Sequence, residues 1–358
     1  MIESILLLII PLGGILMSRP VRFGIVGCGV ISRWHADSIE SIDNAKLIGA
    51  TDPNTDALHS FIQDYGIKGF ATLEEMLKSD EVNAISICTP SGLHAPQAIL
   101  AANYGVNVIV EKPMAITLRE IDEIIRACEK SGIKFSVISQ LRFSETVQRV
   151  RQAVKEKEIG DVMLCDLYMK YYRSPDYYAS SSWRGTWDMD GGGALMNQGI
   201  HGIDVLQYIM GPVKSIFGQI RTLTHAIEGE DTATAILEFQ NGALGVIEGT
   251  TSVYPGYSRR IEIHGDQGSI ILEEDNIIEW KTVDGDNVEH IASSSEFNSA
   301  SDPTAIGKKG HIKQINDFVN AILEDRQPLL DQYDGKIPVE IILGIYESSK
   351  SNKKVLLC

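Results

Sequence analysis

Positive charge is scarce in this sequence. Its 32 lysines and arginines face 48 aspartates and glutamates, so the formal net charge is −16. Proteins that bind nucleic acid neutralise its phosphates with lysine and arginine, and this composition opposes such a surface. We therefore expect no nucleic-acid partner. An anionic small molecule would need locally placed cations, because the overall field repels it.

Cysteine is also scarce, with five residues in a chain of 358. They are Cys28, Cys88, Cys128, Cys165 and Cys358, and no two form a CxxC pair. This spacing is unlike the disulfide frameworks of secreted domains and unlike cysteine-based zinc sites. It is typical of a reducing compartment, so the prediction is a cytoplasmic protein.

Long apolar runs are absent after the first residues. The opening runs, Ile5 to Ile10 and Leu12 to Met17, have no basic segment before them and no small-residue cleavage site after them. Pro11 interrupts them, and their length is short for a membrane span. We predict that residues 1–17 are an apolar extension, that translation starts at Met17, and that no membrane is a partner. Export is the alternative interpretation.

A glycine-rich turn follows the first predicted strand. The strand is Val21 to Val26, and the turn is Gly27-Cys28-Gly29-Val30-Ile31-Ser32, before a predicted helix from Arg33 to Ser41. The first glycine permits a tight turn, the second admits a pyrophosphate, and the third position must only be small, which serine satisfies. The helix N-terminus offers N–H groups to a phosphate. The predicted cofactor contacts here are Gly27, Gly29, Val30, Ile31 and Ser32.

An acidic residue ends the second predicted strand. Lys46 to Thr51 runs into Asp52, which lies about 20 residues beyond the glycine turn. An acid at this position binds the ribose diol of NAD and repels the 2′-phosphate of NADP. No arginine stands beside it. We therefore predict NAD, in preference to NADP, as the cofactor.

Strands and helices continue to alternate up to residue 138. Helices are predicted at 72–78, 94–103 and 118–131, and strands at 84–88, 106–110 and 134–138, which indicates a doubly wound parallel sheet. Ligands bind at the carboxyl ends of such strands. Further cofactor contacts are therefore predicted at Thr89, Pro90, His94, Glu111, Lys112 and Gln140. For His94, capping of its helix and simple solvation are alternatives.

Lys112 lies in a Glu-Lys-Pro tripeptide directly after the apolar strand of residues 106–110. An ammonium held against an apolar wall has a lowered pKa, which suits proton transfer to or from a substrate hydroxyl. A solvated surface turn is the alternative.

A second polar constellation follows a glycine run. Residues 190–204 read DGGGALMNQGIHGID and open a helix that is predicted to continue to about Met210. Asn197, His201 and Asp204 have the spacing i, i+4, i+7, which places them on one stripe of an otherwise apolar helix. A substrate cleft would give these buried polar groups partners, although a structural network is the alternative. One imidazole without cysteine predicts no metal.

The order and spacing of these three motifs resemble the glucose-fructose oxidoreductase, inositol dehydrogenase and MocA (Gfo/Idh/MocA) family, from about Val21 to Leu357. The resemblance implies an α/β Rossmann domain at 18–140. It also implies an α+β domain at 141–358 that binds substrate, carries a large, mostly antiparallel open sheet, and forms homodimers or homotetramers. Alternating β-rich runs between residues 161 and 272, and helices at 311–325 and 337–351, agree with this second domain.

The resemblance also implies the chemistry, namely NAD-dependent oxidation of a secondary sugar hydroxyl. His201 is the leading proton acceptor, and Lys112 binds the same oxygen. Asn197 stands where the family usually has a carboxylate, and an amide there only positions the substrate or the ring. The predicted catalytic residues are Lys112, His201 and Asn197. The predicted substrate contacts are Lys112, Arg142, Arg184, Asn197, His201 and Asp204.

Asn197-Gln198, together with Trp183-Arg184-Gly185-Thr186-Trp187, looks most like the branch that acts at C3 of UDP-N-acetylglucosamine or its uronic acid. Arg184 suits a carboxylate or phosphate, because its planar fork matches those oxygens. The two tryptophans are core aromatics in the alternative interpretation. An inositol or free-sugar dehydrogenase, a nucleotide-sugar ketoreductase, and a regulator that senses NAD(P) without catalysis are the other functions considered.

Overall fold

Two β-sheets organise the chain. The computed structural model describes residues 19–286 and 308–357. The predicted extension 1–17 with its start at Met17, the terminal Cys358, and most of a polar segment at 293–309 lie outside the described residues.

The first sheet is parallel. Its strands are β1 (Val21–Val26), β2 (Ala45–Thr51), β3 (Lys68–Gly69), β4 (Ala84–Ile87), β5 (Asn107–Val110) and β6 (Phe135–Val137). In space they follow the order β3-β2-β1-β4-β5-β6. The direction of the order changes between β1 and β4, and open α/β sheets bind ligands at such a point.

Helices connect these strands. They are α1 (Val30–Glu40), α2 (Thr55–Tyr65), α3 (Leu73–Lys78), α4 (His94–Asn103) and α5 (Leu118–Ser131). The side chains of Asn54, Thr72 and Thr117 cap α2, α3 and α5. Helix α1 instead has Gly29 at its N-cap, without a side-chain cap, so its first N–H groups are open to a ligand.

The second sheet is mostly antiparallel. Its strands are β7 (Val162–Lys170), β8 (Val213–Arg221), β9 (Thr232–Phe239), β10 (Leu244–Thr250), β11 (Arg260–Gly265), β12 (Gly268–Glu273), β13 (Asn276–Thr282), β14 (Gly285–Asp286) and β15 (Val355–Leu356). Their order is β14-β13-β12-β11-β7-β10-β9-β8-β15. Among the described strands of this second sheet, β7 and β10 form the parallel pair. Burial alternates along β9, which shows that one face of the sheet is covered.

Five helices follow β6 in the described chain. They are α6 (Glu145–Lys155), α7 (Pro175–Ala179), α8 (Ile200–Met210), α9 (Lys308–Leu323) and α10 (Gln332–Ser351). Helix α10 packs against β8, and α8 packs against α10 and β7. The buried face of α8 is almost continuous, because Ile203, Val205, Leu206 and Ile209 all lie in the core.

Helix α9 returns to the first sheet. Ile315 and Phe318 share a core with Phe23 and Ile25 of β1. The side chain of Gln314 accepts a hydrogen bond from the Ser139 amide and donates one to the Val137 carbonyl. The predicted division into 18–140 and 141–358 remains a prediction, and it assigns α9 to the second unit although this helix packs on the first sheet.

The predicted fold class is confirmed, with a parallel Rossmann sheet followed by a large, mostly antiparallel sheet. The sequence patterns did not predict α2, β3, α6, α7 or β13 to β15. Helix α2 was missed although its apolar residues Leu58, Phe61, Ile62 and Tyr65 have helical spacing and pack against the core of the first sheet. None of the described helices is both long and apolar enough to cross a membrane.

Candidate active site

The glycine turn after β1 has the geometry that a dinucleotide needs. Gly27 has φ +91°, and a Cβ there would lie 2.9 Å from Cγ2 of Thr89. A Cβ on Gly29 would meet nothing within 4 Å, so the space above this residue is open. Ser32 is buried and donates to the Gly29 carbonyl at 2.6 Å. The predicted contacts Val30 and Ile31 begin α1, and Val30 is exposed.

Asp52 lies beside this turn at the end of β2. One carboxylate oxygen accepts from the Cys28 amide at 2.7 Å, and the other accepts from the Asn54 amide at 2.7 Å. These bonds fix the carboxylate next to the phosphate-binding backbone. The position agrees with the predicted contact to the ribose diol, which remains a prediction.

Thr89, Pro90 and His94 lie at the end of β4. The imidazole of His94 is buried, with Nδ1 2.7 Å from the Pro113 carbonyl oxygen and Nε2 2.9 Å from the Thr89 carbonyl oxygen. His94 therefore joins two strand-end loops. Pro90 precedes a short 3₁₀ turn at residues 91–93.

Gln140 is the predicted contact at the end of β6. It is buried, and its side-chain oxygen has no hydrogen-bond partner among the described residues. A buried polar atom without a partner is costly unless a ligand supplies one. The open space at Gly29, the uncapped α1, the placed Asp52 and this oxygen all fit a bound NAD.

Glu111 turns its carboxylate into the core. Oε1 lies 2.9 Å from Nε2 of His35 and 3.8 Å from Nε2 of His311. Burial would raise the pKa of Glu111, but the two imidazoles hold it well below its usual range. Ser86 bonds the other nitrogen of His35 at 2.7 Å. His35, Glu111 and His311 are the one group of potential metal ligands among the described residues, and the sequence motifs did not indicate it.

Lys112 and His201 line the same small cavity. The Lys112 ammonium, at the end of β5, donates to the backbone carbonyl of Asn197 at 2.8 Å. Burial lowers the pKa of Lys112, Arg184 and Arg173 lower it further, and the carboxylates of Glu111 and Asp190 oppose the shift.

His201 is half-buried on the first turn of α8. Burial first, and then the charge of Lys112, hold the pKa of His201 well below its usual value. The ring is therefore neutral near pH 7. No hydrogen bond joins it to another residue of the described chain, so its nitrogens are available to a substrate hydroxyl.

The predicted polar stripe does not form as expected. Residues 194–199 make a π-helical turn before α8 begins, so Asn197 is rotated relative to His201 and Asp204. Asn197 donates to Asp190, whereas Asp204 faces Arg142. The three side chains thus have different surroundings.

Glu230 holds the start of this π-helical turn. Its carboxylate accepts from the amides of Gly193 at 3.0 Å and Leu195 at 2.7 Å, and from the Tyr346 hydroxyl at 2.9 Å. A Cβ on Gly193 would lie 2.0 Å from the Glu230 carbonyl oxygen. The glycine run therefore lets this loop pack closely against Glu230.

Arg142 and Asp204 pair with each other. Arg142 is buried and donates to both oxygens of Asp204, with the shortest bond at 2.6 Å, and to Asp334 at 2.7 Å. Asp204 also lines the cavity that holds Lys112 and His201. The guanidinium is thus directed at carboxylates of α8 and α10, and the substrate contacts predicted for both residues remain predictions.

Arg184 belongs to a cluster of aromatic and cationic groups. Its guanidinium lies 4.2 Å from the ring centre of Tyr177 and 4.8 Å from that of Trp183, and it donates to the Tyr177 hydroxyl at 2.6 Å. Its buried Nε has no hydrogen-bond partner among the described residues. Trp187 is 40% exposed and packs edge-on against Tyr346, so it is not a core aromatic.

Gln198 extends this cluster. It accepts from Arg173 at 2.7 Å and donates to the Tyr177 hydroxyl and to Asn197 Oδ1, each at 2.8 Å. Sequence reasoning missed Arg173 and Tyr177, because no motif marks residues that come together only through α7 and β7.

Two family descriptions match consecutive parts of the chain. Residues 21–139 match the oxidoreductase family with an NAD-binding Rossmann fold, and residues 147–271 match the GFO/IDH/MocA C-terminal domain. Together they cover the first sheet and most of the second.

Solved structures resemble nearly the whole chain. The WlbA dehydrogenase of Bordetella pertussis, in complex with NADH and UDP-GlcNAcA, is 32% identical, with a TM-score of 0.85 over 95% of this chain and 99% of that one. The WlbA enzyme of Chromobacterium violaceum, with the same ligands, is 30% identical, with a TM-score of 0.86 over 96% and 97%. The myo-inositol 2-dehydrogenase of Thermotoga maritima is 26% identical over 92% of this chain and 96% of that protein.

Proposed function

The chain belongs to the GFO/IDH/MocA family of NAD-dependent sugar and polyol oxidoreductases, and we propose that its substrate is a UDP-N-acetylhexosamine or the corresponding uronic acid, oxidised at a secondary hydroxyl, C3 being the predicted carbon. One observation carries the proposal. Lys112 and His201 line one cavity, and hydrogen bonds through Asn197, Gln198 and Tyr177 connect Lys112 to Arg184.

Lys112 and His201 divide the proton chemistry. The Lys112 ammonium hydrogen-bonds the reacting oxygen and stabilises negative charge as it develops. His201 is neutral near pH 7 and accepts the hydroxyl proton. The carbonyl of Asn197 holds the ammonium in place. Bound NAD would supply the electron-pair acceptor for the oxidation.

The charges near the cavity favour an anionic substrate. Lys112, Arg173 and Arg184 are cationic, whereas each nearby carboxylate already has partners of its own. Glu111 contacts His35, Asp190 accepts from Gly185 and Asn197, and Asp204 accepts from Arg142. The unpartnered Nε of Arg184 gives a carboxylate or phosphate a donor. A guanidinium stacked on Tyr177 and Trp183 is preorganised for such a group. Similarity to two enzymes solved with UDP-GlcNAcA supports the same class.

An inositol or free-sugar dehydrogenase is the second candidate. The similarity to the Thermotoga inositol enzyme, over most of both chains, favours it. Ketone reduction on a nucleotide sugar needs the same residues, because one transition state serves both directions.

The test is NAD reduction by the purified protein with UDP-N-acetylglucosamine, its uronic acid, myo-inositol and glucose. We expect the absorbance of NADH to appear with a UDP sugar. Turnover with myo-inositol alone would replace the proposal by the second candidate. Tight NAD binding without turnover of any of the four compounds would contradict the proposal and favour a regulator that senses NAD(P) without catalysis.

The variant Arg184→Met tests which anionic group of the substrate Arg184 binds. If Arg184 binds the uronate, its loss raises KM for the uronic acid about tenfold, as expected for a hydrogen bond between charged groups, and leaves KM for the neutral sugar nearly unchanged. If it binds phosphate, both KM values rise. The matched control is Arg119→Met on the exposed surface of α5, which should change neither value.

We also propose a homo-oligomer formed through the open face of the second sheet. Phe217 lies opposite Ile236 in the ladder between β8 and β9, and both are exposed, as is Leu244 on β10. A contiguous exposed apolar face on a sheet marks an interaction surface. Light scattering should give a multiple of the chain mass, and Ile236→Lys should lower it. A monomeric wild type would reject the proposal.

A further inference from the structure

Asp190 is a buried carboxylate directly before the glycine run, and no sequence motif gives it a function. It is 2% exposed. One oxygen accepts from the Gly185 amide at 2.8 Å, and the other accepts from the side-chain nitrogen of Asn197 at 2.5 Å. Gln198 donates to the amide oxygen of Asn197, which fixes the amide nitrogen toward Asp190.

Asn197 connects Asp190 to Lys112. The same residue that donates its side chain to Asp190 accepts the Lys112 ammonium on its backbone carbonyl. Asp190 therefore anchors the residue whose backbone carbonyl orients the ammonium. Asp190 is thus connected to the reacting ammonium through a single intervening residue, Asn197.

The charges around Lys112 give Asp190 a second effect. Two carboxylates, Glu111 and Asp190, stabilise the ammonium, and two guanidiniums, Arg184 and Arg173, oppose it. The carboxylate of Glu111 already faces imidazoles in the core. His201, on α8, carries no charge near pH 7.

We infer that Asp190 supplies the carboxylate of this site, as a positioning residue that orients Lys112 through Asn197. The inference rests on the proposed function, because it concerns the same hydroxyl oxidation.

The first test compares Asp190→Asn with Asp188→Asn, an exposed acid two residues away. We expect Asp190→Asn to lower kcat about a hundredfold, the effect of misplacing a reacting group by roughly 1 Å, with KM for NAD unchanged. The basic limb of the pH profile of kcat should move to lower pH, because Lys112 loses a neighbouring negative charge. Asp188→Asn should change neither. An unchanged kcat and basic limb in Asp190→Asn would overturn the inference.

A swapped pair guards against a simple folding defect. The double variant Asp190→Asn with Asn197→Asp keeps one carboxylate and one amide in contact but exchanges their places. We expect it to recover kcat and the basic limb toward the wild type. A double variant that binds NAD normally but recovers neither would overturn the inference.

A third measurement needs no substrate. The rate of Lys112 acetylation by acetic anhydride, followed by mass spectrometry across pH, reports the charge state of the ammonium. Its midpoint should be lower in Asp190→Asn than in the wild type. If no sugar is oxidised but this midpoint shifts, the proposed function fails while the link between Asp190 and Lys112 stands. An unchanged midpoint rejects that link whatever the substrate.

Discussion

The ammonium nitrogen of Lys112 lies 2.8 Å from the backbone carbonyl oxygen of Asn197, although 85 residues separate them in the chain. This bond joins the end of β5 in the first sheet to the π-helical turn that precedes α8 beside the second sheet. The reacting groups therefore meet only when both halves of the chain are folded and docked. Helix α9, from the second half of the chain, packs on the first sheet and bonds the backbone at the end of β6 through Gln314.

Lys112→Met should abolish turnover and leave cofactor binding intact. We expect kcat to fall by about 100-fold to 10,000-fold, the usual contribution of a positioned proton-transfer group. NAD affinity should persist, because the ammonium bonds Asn197 and not the glycine turn. Stopped-flow NADH absorbance and calorimetric NAD titration measure the two quantities. The control is Lys46→Met, at an exposed position of β2. Normal turnover by Lys112→Met would show that Lys112 is not a catalytic residue.

Asp52→Ala should weaken NAD binding and reduce its advantage over NADP. The carboxylate is fixed beside the glycine turn by the Cys28 and Asn54 amides. Losing a hydrogen bond from a charged group costs ~1.5–3 kcal/mol, so KM for NAD should rise about tenfold or more. KM for NADP should fall relative to it. Steady-state assays with both cofactors measure the ratio of the two KM values. The control is Asp43→Ala, at an exposed position. An unchanged ratio in Asp52→Ala would contradict the role of Asp52.

The glycine turn and all strands of the first sheet except the two-residue β3 were predictable, because their signals are local. A turn that needs Gly27 at positive φ, and a short apolar strand such as β5, are written in consecutive residues. The wider fold class followed from the order of such segments. Correct positions for Asp52 and Lys112 at strand ends followed as well.

The polar partners of the site were not predictable, because long-range packing chooses them. The side chain of Asn197 bonds Asp190 and does not share one helix face with His201 and Asp204. The reason is the π-helical turn before α8, which changes the direction of the Asn197 side chain. His311 reaches Glu111 only because α9 returns to the first sheet. The apolar periodicity of the sequence does not distinguish a π-helical turn from an ordinary helix. It also does not show which sheet a helix such as α9 packs against.

The Arg142–Asp204 pair should be important for stability. Asp204→Ala removes one partner of a buried ion pair and should lower the free energy of unfolding by about 3–5 kcal/mol. Asp334 still contacts Arg142, so we expect the lower end of that range. Replacing both residues, Arg142→Met with Asp204→Leu, should cost less, because no charge is left buried alone. Urea denaturation measures each step.

The control for this pair is Lys78→Ala, which removes an exposed ion pair with Glu74 on α3. Solvent screens that pair, so the unfolding free energy should change little. If Asp204→Ala is as mild as Lys78→Ala, the Arg142 pair does not stabilise the interface between α8, α10 and the loop after β6.

Glu230 should make stability depend on pH in a defined window. Burial raises the pKa of Glu230 from 4.5 to about 7, although the Leu195 and Gly193 amides and the Tyr346 hydroxyl counter part of the shift. The folded protein therefore binds a proton that the unfolded chain releases between these values. Its contribution is complete below about pH 4.5 and is lost as pH rises through about 7, and it amounts to about 3 kcal/mol.

Glu230→Gln removes the titration and isolates this contribution from other groups. Urea denaturation at several pH values between 4.5 and 8 should show the free energy of unfolding of the wild type falling more steeply with pH than that of the variant. The matched control is Glu228→Gln, because Glu228 is exposed on the same loop and bonds the Trp187 amide, and it should retain the slope of the wild type. Equal slopes for the wild type and Glu230→Gln would mean that Glu230 is ionised throughout, with its three donors outweighing its burial.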